Sequence, residues 1–588
     1  MVVNVLNVAE KPKVAKEISA ILGKGKAAHS KGFSKYNPVH KFPYTLNGES
    51  CNMIFTSVLG HLMGRDFNEN VRKWYSCNPA VLFDEPIRKI VPENMKQIDK
   101  TLQQQARTCQ WLVLWLDYDR EGENISFEVI SRCTAANKNL RIFRAKFSSL
   151  IPREIYHACA NLIPPDKNKS DAAEARCELD LRVGSAFTRL QTLYLQKRIP
   201  DLETLIISYG PCQFPTLGFV VDRYWRIEEF VEEPFWSINV SHKRENSIAK
   251  FNWERGHLFD HACAFILYEI VIESPVAKVL SVNRKKKDKW KPLPLNTIAL
   301  QKLASKKLRM NSAKVMEVAE NLYRQGFISY PRTETNSFDQ GTNLKGLVEI
   351  QAPHQQWGAY ANSLLQEGKF CRPRNGKSND QSHPPIHPTK LANNLQKDEE
   401  KKLYELVVRH FLACCSEDAH GFETTIAIDI ANEKFTTKGL MVTATNYLDV
   451  YPYEKWSDKT IPVFNEGEQF TPTDILFHQG QTNPPNLLTE SELIDLMDKN
   501  GIGTDATIAQ HIETIQQREY ASKQGNYFTP TTLGLALIDG YKKMGFNLDK
   551  PDLRARMEKD LEQIACGKLA KQTVTNKFIA EYREIFEE

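Results

Sequence analysis

No run of apolar residues in this 588-residue chain approaches the roughly 18 needed to cross a bilayer, so a transmembrane helix is not expected. A secretory leader is not expected either, because Val2 to Val8 is short and runs directly into Glu10 and Lys11. Twelve cysteines occur without one C-x-x-C pair, which argues against a zinc ribbon or a regular disulfide framework and for reduced, intracellular thiols. The segment Asn375-Gly376-Lys377-Ser378 has the tail of a phosphate loop, but Cys371 stands where its first glycine is required. Internal repeats and low-complexity tracts are lacking. Charge of either sign is barely in excess: 77 Lys and Arg face 72 Asp and Glu, a net of +5. Any nucleic-acid surface must therefore be local. What remains is ordinary globular material, 41% hydrophobic and 25% charged, long enough for about four domains.

Two strand ends carry the chemistry. Val2 to Val8 reads as a buried strand and Pro12 suits the first turn of a helix. That leaves Glu10 and Lys11 at the carboxyl end of a strand, where open α/β sheets place ligands. A second apolar strand, Trp111 to Leu116, ends in Asp117-Tyr118-Asp119-Arg120-Glu121-Gly122-Glu123. In extended backbone, alternate residues share a side, so Asp117, Asp119 and Glu121 are expected to converge. Such a group repels itself unless a cation joins it, and magnesium with oxygen ligands and retained water fits best. A solvated acidic turn is the plainer alternative for an isolated D-x-D, but the apolar strand before it and the Gly-Glu helix entry after it raise the specificity.

A third segment is Ile328-Ser329-Tyr330-Pro331-Arg332-Thr333-Glu334-Thr335. Ser312 to Gln325 patterns as an amphipathic helix with Val315, Val318 and Leu322 on one face and Gly326 as its stop. Pro331 then holds Tyr330 in extended backbone just past the helix end. A phenol with a pKa of about 10 is a poor nucleophile at neutral pH. Arg332 sets beside it a permanent charge with a planar fork suited to phosphate.

Glu10-Lys11 with the D-x-D-x-x-G-E segment resembles the Toprim domain. Adding Tyr330-Pro331-Arg332 makes the chain resemble the type IA DNA topoisomerases, the eukaryotic topoisomerase III group and its alpha branch in particular. The resemblance spans nearly the whole chain. Its further motifs are Gly60-His61-Leu62, Thr188-Arg189, Gln213 to Leu217, Asp380 to Thr389, and Gly501 to Thr507. Two departures stand out. Pro211 occupies a place where many bacterial members carry a basic residue. The cysteine-rich zinc tails of full-length alpha enzymes have no counterpart before Glu588, so a core form without zinc is expected.

The resemblance implies an α/β plus α+β multidomain fold, a Toprim domain within a four-domain toroid. Residues 1–150 would form the Toprim domain and 284–415 the catalytic-tyrosine domain. A helical base would combine 151–220 with 480–588, and an arch 221–283 with 416–479. Tyr330 would attack single-stranded DNA to give a 5′-phosphotyrosine without ATP, allowing relaxation of negative supercoils and the decatenation or dissolution of recombination intermediates. Arg332 and Lys11 would stabilise the charged phosphorus. Glu10 would protonate the leaving 3′-oxygen and share magnesium with Asp117, Asp119 and Glu121. His383 is implied at a neighbouring phosphate, or is a structural loop histidine. DNA contacts are implied for Arg176, Thr188, Arg189, Gln213 and Asp380. Asp180 and Gly184 share the Arg176 face at intervals of four, where a helix–helix contact fits equally.

The basic run Arg284 to Lys291 reads as a solvated linker, a nuclear-localisation signal or a phosphate patch. Thr489 to Lys499, a Gly501-Ile502-Gly503-Thr504 turn, Ala506 to Arg518 and a Gly525-Asn526 hairpin outline a winged helix. Implied partners are a RecQ-family helicase and a small OB-fold accessory protein, with the nucleus as location and a mitochondrial form not excluded; no membrane is involved. Two rivals share part of the pattern. A Toprim nuclease or primase needs the acids but not Tyr330, and a single-strand-binding protein needs neither.

Overall fold

The structure is a computed structural model that describes residues 2–588 except 47, 245–246 and 504–506. Its amino-terminal sheet has six strands in the order Ala28–Ser30, Val39–Leu46, Glu49–Ser57, Val3–Ala9, Trp111–Trp115, Arg141–Arg144. The last four run parallel. Parallel strands covered on both faces must be apolar throughout, and Trp111–Trp115 is buried at every position. Alternation divides the strands between two cores. Val5, Ala9, Trp111, Val113 and Trp115 face one, and Leu6, Val8, Leu112 and Leu114 face the other.

The first of those cores does not stop at the sheet. It continues without a break into Leu300, Val315, Val318, Leu322, Tyr330, Leu403 and Phe411. The unit carrying Tyr330 is thus docked on the amino-terminal sheet through shared apolar packing. Within it, the amphipathic helix runs Ser312–Arg324, and Gly326 at φ 75° lets the chain leave it.

A second large core joins distant stretches of sequence. The 30-residue helix Lys167–Gln196 packs with Gln213–Glu228, Glu490–Lys499, Ile508–Gln517, Asp552–Ala565 and Lys571–Glu587. The winged-helix outline is present here. Thr489 and Glu492 form a reciprocal capping box at the start of Glu490–Lys499, and Ala521–Gln524 pairs with Tyr527–Pro530. Thr504 to Ala506 of the intervening turn lie outside the described residues.

The third body is a seven-stranded sheet in the order Gln469–Phe470, Ala277–Lys289, Ala419–Ile430, Glu433–Ala444, Ser247–Trp253, Pro234–Arg244, Asp474–Gln481. Here the linker reading of the basic run fails. Arg284 to Lys289 belong to one long strand whose partners run from Thr424 back to Ala419, so the expected boundary at 283 falls inside a strand. The consecutive residues Arg284 to Lys287 are exposed on both faces of this strand end, and cross-strand contacts such as Arg284 over Phe422 engage them. All twelve cysteines are unpaired. Among the described residues, no helix is long and apolar enough to cross a membrane.

Candidate active site

The strand Val3–Ala9 delivers Glu10 and Lys11 beside the end of Trp111–Trp115, and the helix beginning at Arg120 turns the acidic loop back toward them. Asp119 is the residue that caps this helix, accepting from the Gly122 N–H at 2.7 Å. Gly122 is obligatory on steric grounds, since a Cβ there would lie 1.9 Å from the Asp117 carbonyl oxygen.

Beneath the loop sits a buried ion pair that the sequence reading missed. Arg144 and Glu123 have no side-chain exposure and meet at 2.8 Å. The same guanidinium donates to the carbonyls of Leu114, Leu116, Asp117 and Ala145 at 2.7–3.2 Å. It closes the end of the strand and sets the path of Asp117.

Across this loop lies Tyr330, only 3% exposed. Its hydroxyl donates to Asp119 Oδ2 at 2.5 Å, and its N–H donates to the Ser148 carbonyl at 2.9 Å. Tyr323, the last residue but one of the Ser312–Arg324 helix, donates its hydroxyl to Asp117 Oδ1 at 3.1 Å. Burial pushes the Tyr330 phenol well above its ordinary value, and Asp119 and Asp117 add to this against the pull of Arg332. Burial likewise raises Asp117 well above the carboxylate range, with Glu10 and Asp119 contributing. Asp117 is therefore the carboxyl of the group whose ionisation its surroundings oppose.

Lys11 Nζ lies 3.4 Å from Glu10 and 3.8 Å from Glu320, a residue of the Ser312–Arg324 helix. Burial opposes its charge, yet Glu10, Asp117 and Glu320 hold its pKa above the usual value. Arg332 also pairs with Glu320, Nε at 3.1 Å and Nη2 at 2.5 Å.

The His383 ring packs against Tyr330 at a 41° tilt with ring centroids 4.4 Å apart. Its Nδ1 meets Ser148 Oγ at 2.9 Å, while buried Nε2 has no hydrogen-bond partner among the described residues. Burial lowers its pKa to about 4, so the ring is neutral at physiological pH. Ser148 therefore touches both the tyrosine backbone and the histidine ring.

Not every expected residue joins the group. The alternation that was to carry Glu121 alongside Asp117 and Asp119 ends at the helix cap. Glu121 instead lies 2.9 Å from Arg176 and 3.1 Å from His61 Nε2. His61 is also 3.0 Å from Glu128; although burial opposes its charge, these two acids raise its pKa to about 9.

Four of the residues expected to contact DNA are engaged within the chain. Arg189 is buried and donates to the carbonyls of Val71 and Arg72 at 2.7 and 3.3 Å. Thr188 Oγ1 accepts the Tyr209 N–H at 2.9 Å, and buried Gln213 meets Ser208 Oγ at 3.3 Å. Both pin the 208–213 turn. Asp380 accepts from Thr333 Oγ1 and the N–H groups of Glu334, Ser382 and His383 at 2.8–3.1 Å. It organises the loop that presents His383, and a carboxylate so placed would repel phosphate.

The donors Glu10, Asp117 and Asp119 offer only oxygen, which fits a hard divalent cation. Burial raises Asp117 most, and the negative charge of Glu10 and Asp119 that adds to it is the kind a cation relieves. As they stand, no three such side chains among the described residues converge closely enough to hold a metal ion. The hydroxyls of Tyr323 and Tyr330 and the Gly122 N–H occupy their acceptor positions.

Comparison with known proteins agrees with this geometry. A sequence model of the Toprim domain matches residues 5–150, and one of the DNA topoisomerase family matches residues 164–576. The chain is 52% identical over 584 residues to DNA topoisomerase 3-alpha of Homo sapiens, covering 99% of this chain and 58% of that protein. It is 48% identical over 620 residues to DNA topoisomerase 3 of Dictyostelium discoideum, 100% and 75% covered. With DNA topoisomerase 3 of Schizosaccharomyces pombe it shares 43% over 595 residues, 99% and 96% covered. The full-length topoisomerase I structure from Thermotoga maritima superposes with a TM-score of 0.76 at 24% identity, covering 99% of this chain and 90% of that one. The chain thus spans under two thirds of its human relative, shares its fold with a bacterial topoisomerase, and belongs to the type IA DNA topoisomerases, on the eukaryotic topoisomerase 3 branch.

Proposed function

We propose that this chain cuts and rejoins single-stranded DNA through a covalent bond between Tyr330 and a 5′-phosphate. The observation that carries the proposal is the Tyr330 hydroxyl on Asp119 at 2.5 Å, with Lys11 and Arg332 drawn to one point nearby. A phenol raised by burial needs a base, and Asp119 is placed to take its proton as the oxygen attacks phosphorus. The bond from phosphorus to the 3′-oxygen breaks as the tyrosyl bond forms, and the leaving oxygen takes a proton from the Glu10–Asp117 pair. Lys11 and Arg332 offset the charge that gathers on phosphorus. His383, neutral and with Nε2 unengaged, would hydrogen-bond an adjacent phosphate.

Rejoining reverses these steps, so one phosphodiester is exchanged for another and no ATP is consumed. Magnesium held by Glu10, Asp117 and Asp119 would neutralise the cluster and steady the ends for rejoining. Because Tyr330 is buried at the seam, its unit must separate from the amino-terminal sheet to admit a strand. This is the opening through which a second strand would pass, giving relaxation or decatenation. The same reading carries the implied helicase and OB-fold partners, a role in recombination and repair, and a nuclear location.

The test is covalent trapping. Protein and its Tyr330→Phe variant are incubated with magnesium and a 3′-end-labelled single-stranded oligonucleotide, then denatured. Label on the wild type alone is the expected result. Cleavage without attached label in both would replace the proposal with a Toprim nuclease, and binding without cleavage with a DNA-binding scaffold.

A further inference from the structure

The two cations that the proposed reaction requires are both engaged already. Glu320 lies on the helix that leads to Tyr330, and its carboxylate divides its oxygens between them. Oε2 faces Lys11 Nζ at 3.8 Å from the amino-terminal sheet, and Oε1 takes Arg332 Nη2 at 2.5 Å from the tyrosine segment. Glu320 is neither a packing residue nor a solvated one, since its side chain is 20% exposed at the seam. Burial works against its charge, but Arg332 and Lys11 outweigh it and hold its pKa below the ordinary value. A phosphodiester has the same equipment, two non-bridging oxygens carrying one negative charge, and the same two cations are its natural partners.

We propose that Glu320 is an internal stand-in for the scissile phosphate, clasping Lys11 to Arg332 across the closed seam until a DNA strand displaces it. The proposal rests on the strand-cutting role given above to Lys11 and Arg332. It makes Glu320 a positioning residue with two effects. It prevents two like charges from repelling each other across an empty site, which keeps the seam shut. It also competes with DNA, so every strand that enters must first break an ion pair.

The two effects predict a signature that a merely structural carboxylate would lack. When a phosphate replaces Glu320, the cations exchange one anion for another. When Glu320 is neutral, they carry salt counterions that DNA must release, which steepens the dependence of affinity on salt by about 0.7 for a single strand.

Affinity for a fluorescent single-stranded oligonucleotide is measured as salt is varied, for Glu320→Gln and its parent, both carrying Tyr330→Phe so that no cleavage intervenes. Tighter binding at low salt, roughly tenfold for one charge-assisted contact, together with the steeper salt slope supports the clasp. Weaker or unchanged affinity with an unchanged slope overturns it, the weaker case meaning that Glu320 aligns the cations rather than competing with DNA. Glu320→Ala frees the same cations and gives the same test should the amide disturb folding. With Tyr330 restored, Glu320→Gln is expected to raise the yield of covalent adduct at limiting DNA. If neither protein forms adduct while the binding result holds, the strand-cutting reading fails and the clasp stands as a feature of DNA entry.

Discussion

Arg144 and Arg332 stand on opposite sides of the same acidic centre and are employed in contrasting ways. Arg144 is fully buried, and its guanidinium is used up by Glu123 and four backbone carbonyls. Arg332 is 36% exposed on its side chain and is held through one carboxylate of its own helical neighbour, Glu320. Two histidines repeat the contrast within the tyrosine unit. His410 has both ring nitrogens occupied, Nδ1 by the Tyr451 hydroxyl at 3.0 Å and Nε2 facing the Leu293 carbonyl at 2.9 Å. Buried His383 leaves Nε2 without a partner among the described residues. Saturated groups hold the scaffold, because an unmet buried charge or donor is costly. Groups left one partner short mark where a ligand is to come.

Substitution should separate the two arginines cleanly. Arg144→Met takes away the ion-pair partner of buried Glu123 and leaves it the Asp166 N–H at 3.2 Å, a loss expected to cost about 3–5 kcal/mol of unfolding free energy. Denaturant unfolding of the amino-terminal unit would measure it, and a change near zero would erase the distinction. Arg332→Met should change stability by less than about 1 kcal/mol, as partly exposed ion pairs do. Covalent adduct formation should nevertheless fall roughly 100- to 1,000-fold, the usual effect of removing one preorganised charge from a transition state.

Asp117 sharpens the same contrast from the acidic side. Its carboxyl is raised by burial and by Glu10 and Asp119, so the folded state binds its proton more tightly than the unfolded chain does. An acid shifted upward destabilises the fold above its unfolded pKa, and that penalty fades as pH falls through the folded value toward the unfolded one. Asp117→Asn is therefore expected to raise the melting temperature near neutral pH in the absence of divalent metal, with the gain shrinking in acid. Adduct formation should be lost at the same time. A variant that melted lower at neutral pH would show that the Asp117 contacts, such as that from Tyr323, outweigh the crowding of charge.

Much of this was legible in the sequence, for reasons that also explain the failures. Continuous apolar runs marked the two central strands, and apolar residues at helical spacing ahead of Gly326 marked the Ser312–Arg324 helix, since local periodicity determines which face is buried. Glu10, Lys11, Asp117, Asp119, Tyr330, Arg332 and His383 do come together in the fold. Glu121 was misplaced because the strand rule was carried one residue beyond the helix cap at Asp119. Arg189 and Thr188 were assigned to DNA by resemblance, and helix periodicity alone does not show that a neighbouring turn engages them. Ser148, Glu320 and Arg144 gave no signal that could be read alone. Their roles depend on contacts over long separations in sequence, as when Ser148 meets His383 from 235 residues away.

The smallest effect expected is a comparison of the two histidines by pH. Burial lowers both to about 4 in the fold, against about 6.5 when unfolded, so each is neutral where the unfolded chain begins to take up a proton. Each therefore contributes stability that is complete above about pH 6.5 and is lost progressively as pH falls toward about 4. Replacing either with glutamine should flatten the acid limb of the stability profile by a similar amount, because that limb depends on the shared shift in pKa. Stability near pH 7 should respond differently. His410→Gln disturbs two satisfied buried contacts and is expected to cost about 1–3 kcal/mol, whereas His383→Gln disturbs one, with Ser148, and should cost less. Urea midpoints for both variants at about pH 7 and about pH 5 decide the matter. Equal losses at neutral pH would mean that the unengaged Nε2 of His383 already has a partner in solution, and that an open valence does not distinguish a residue waiting for DNA from one that holds the fold.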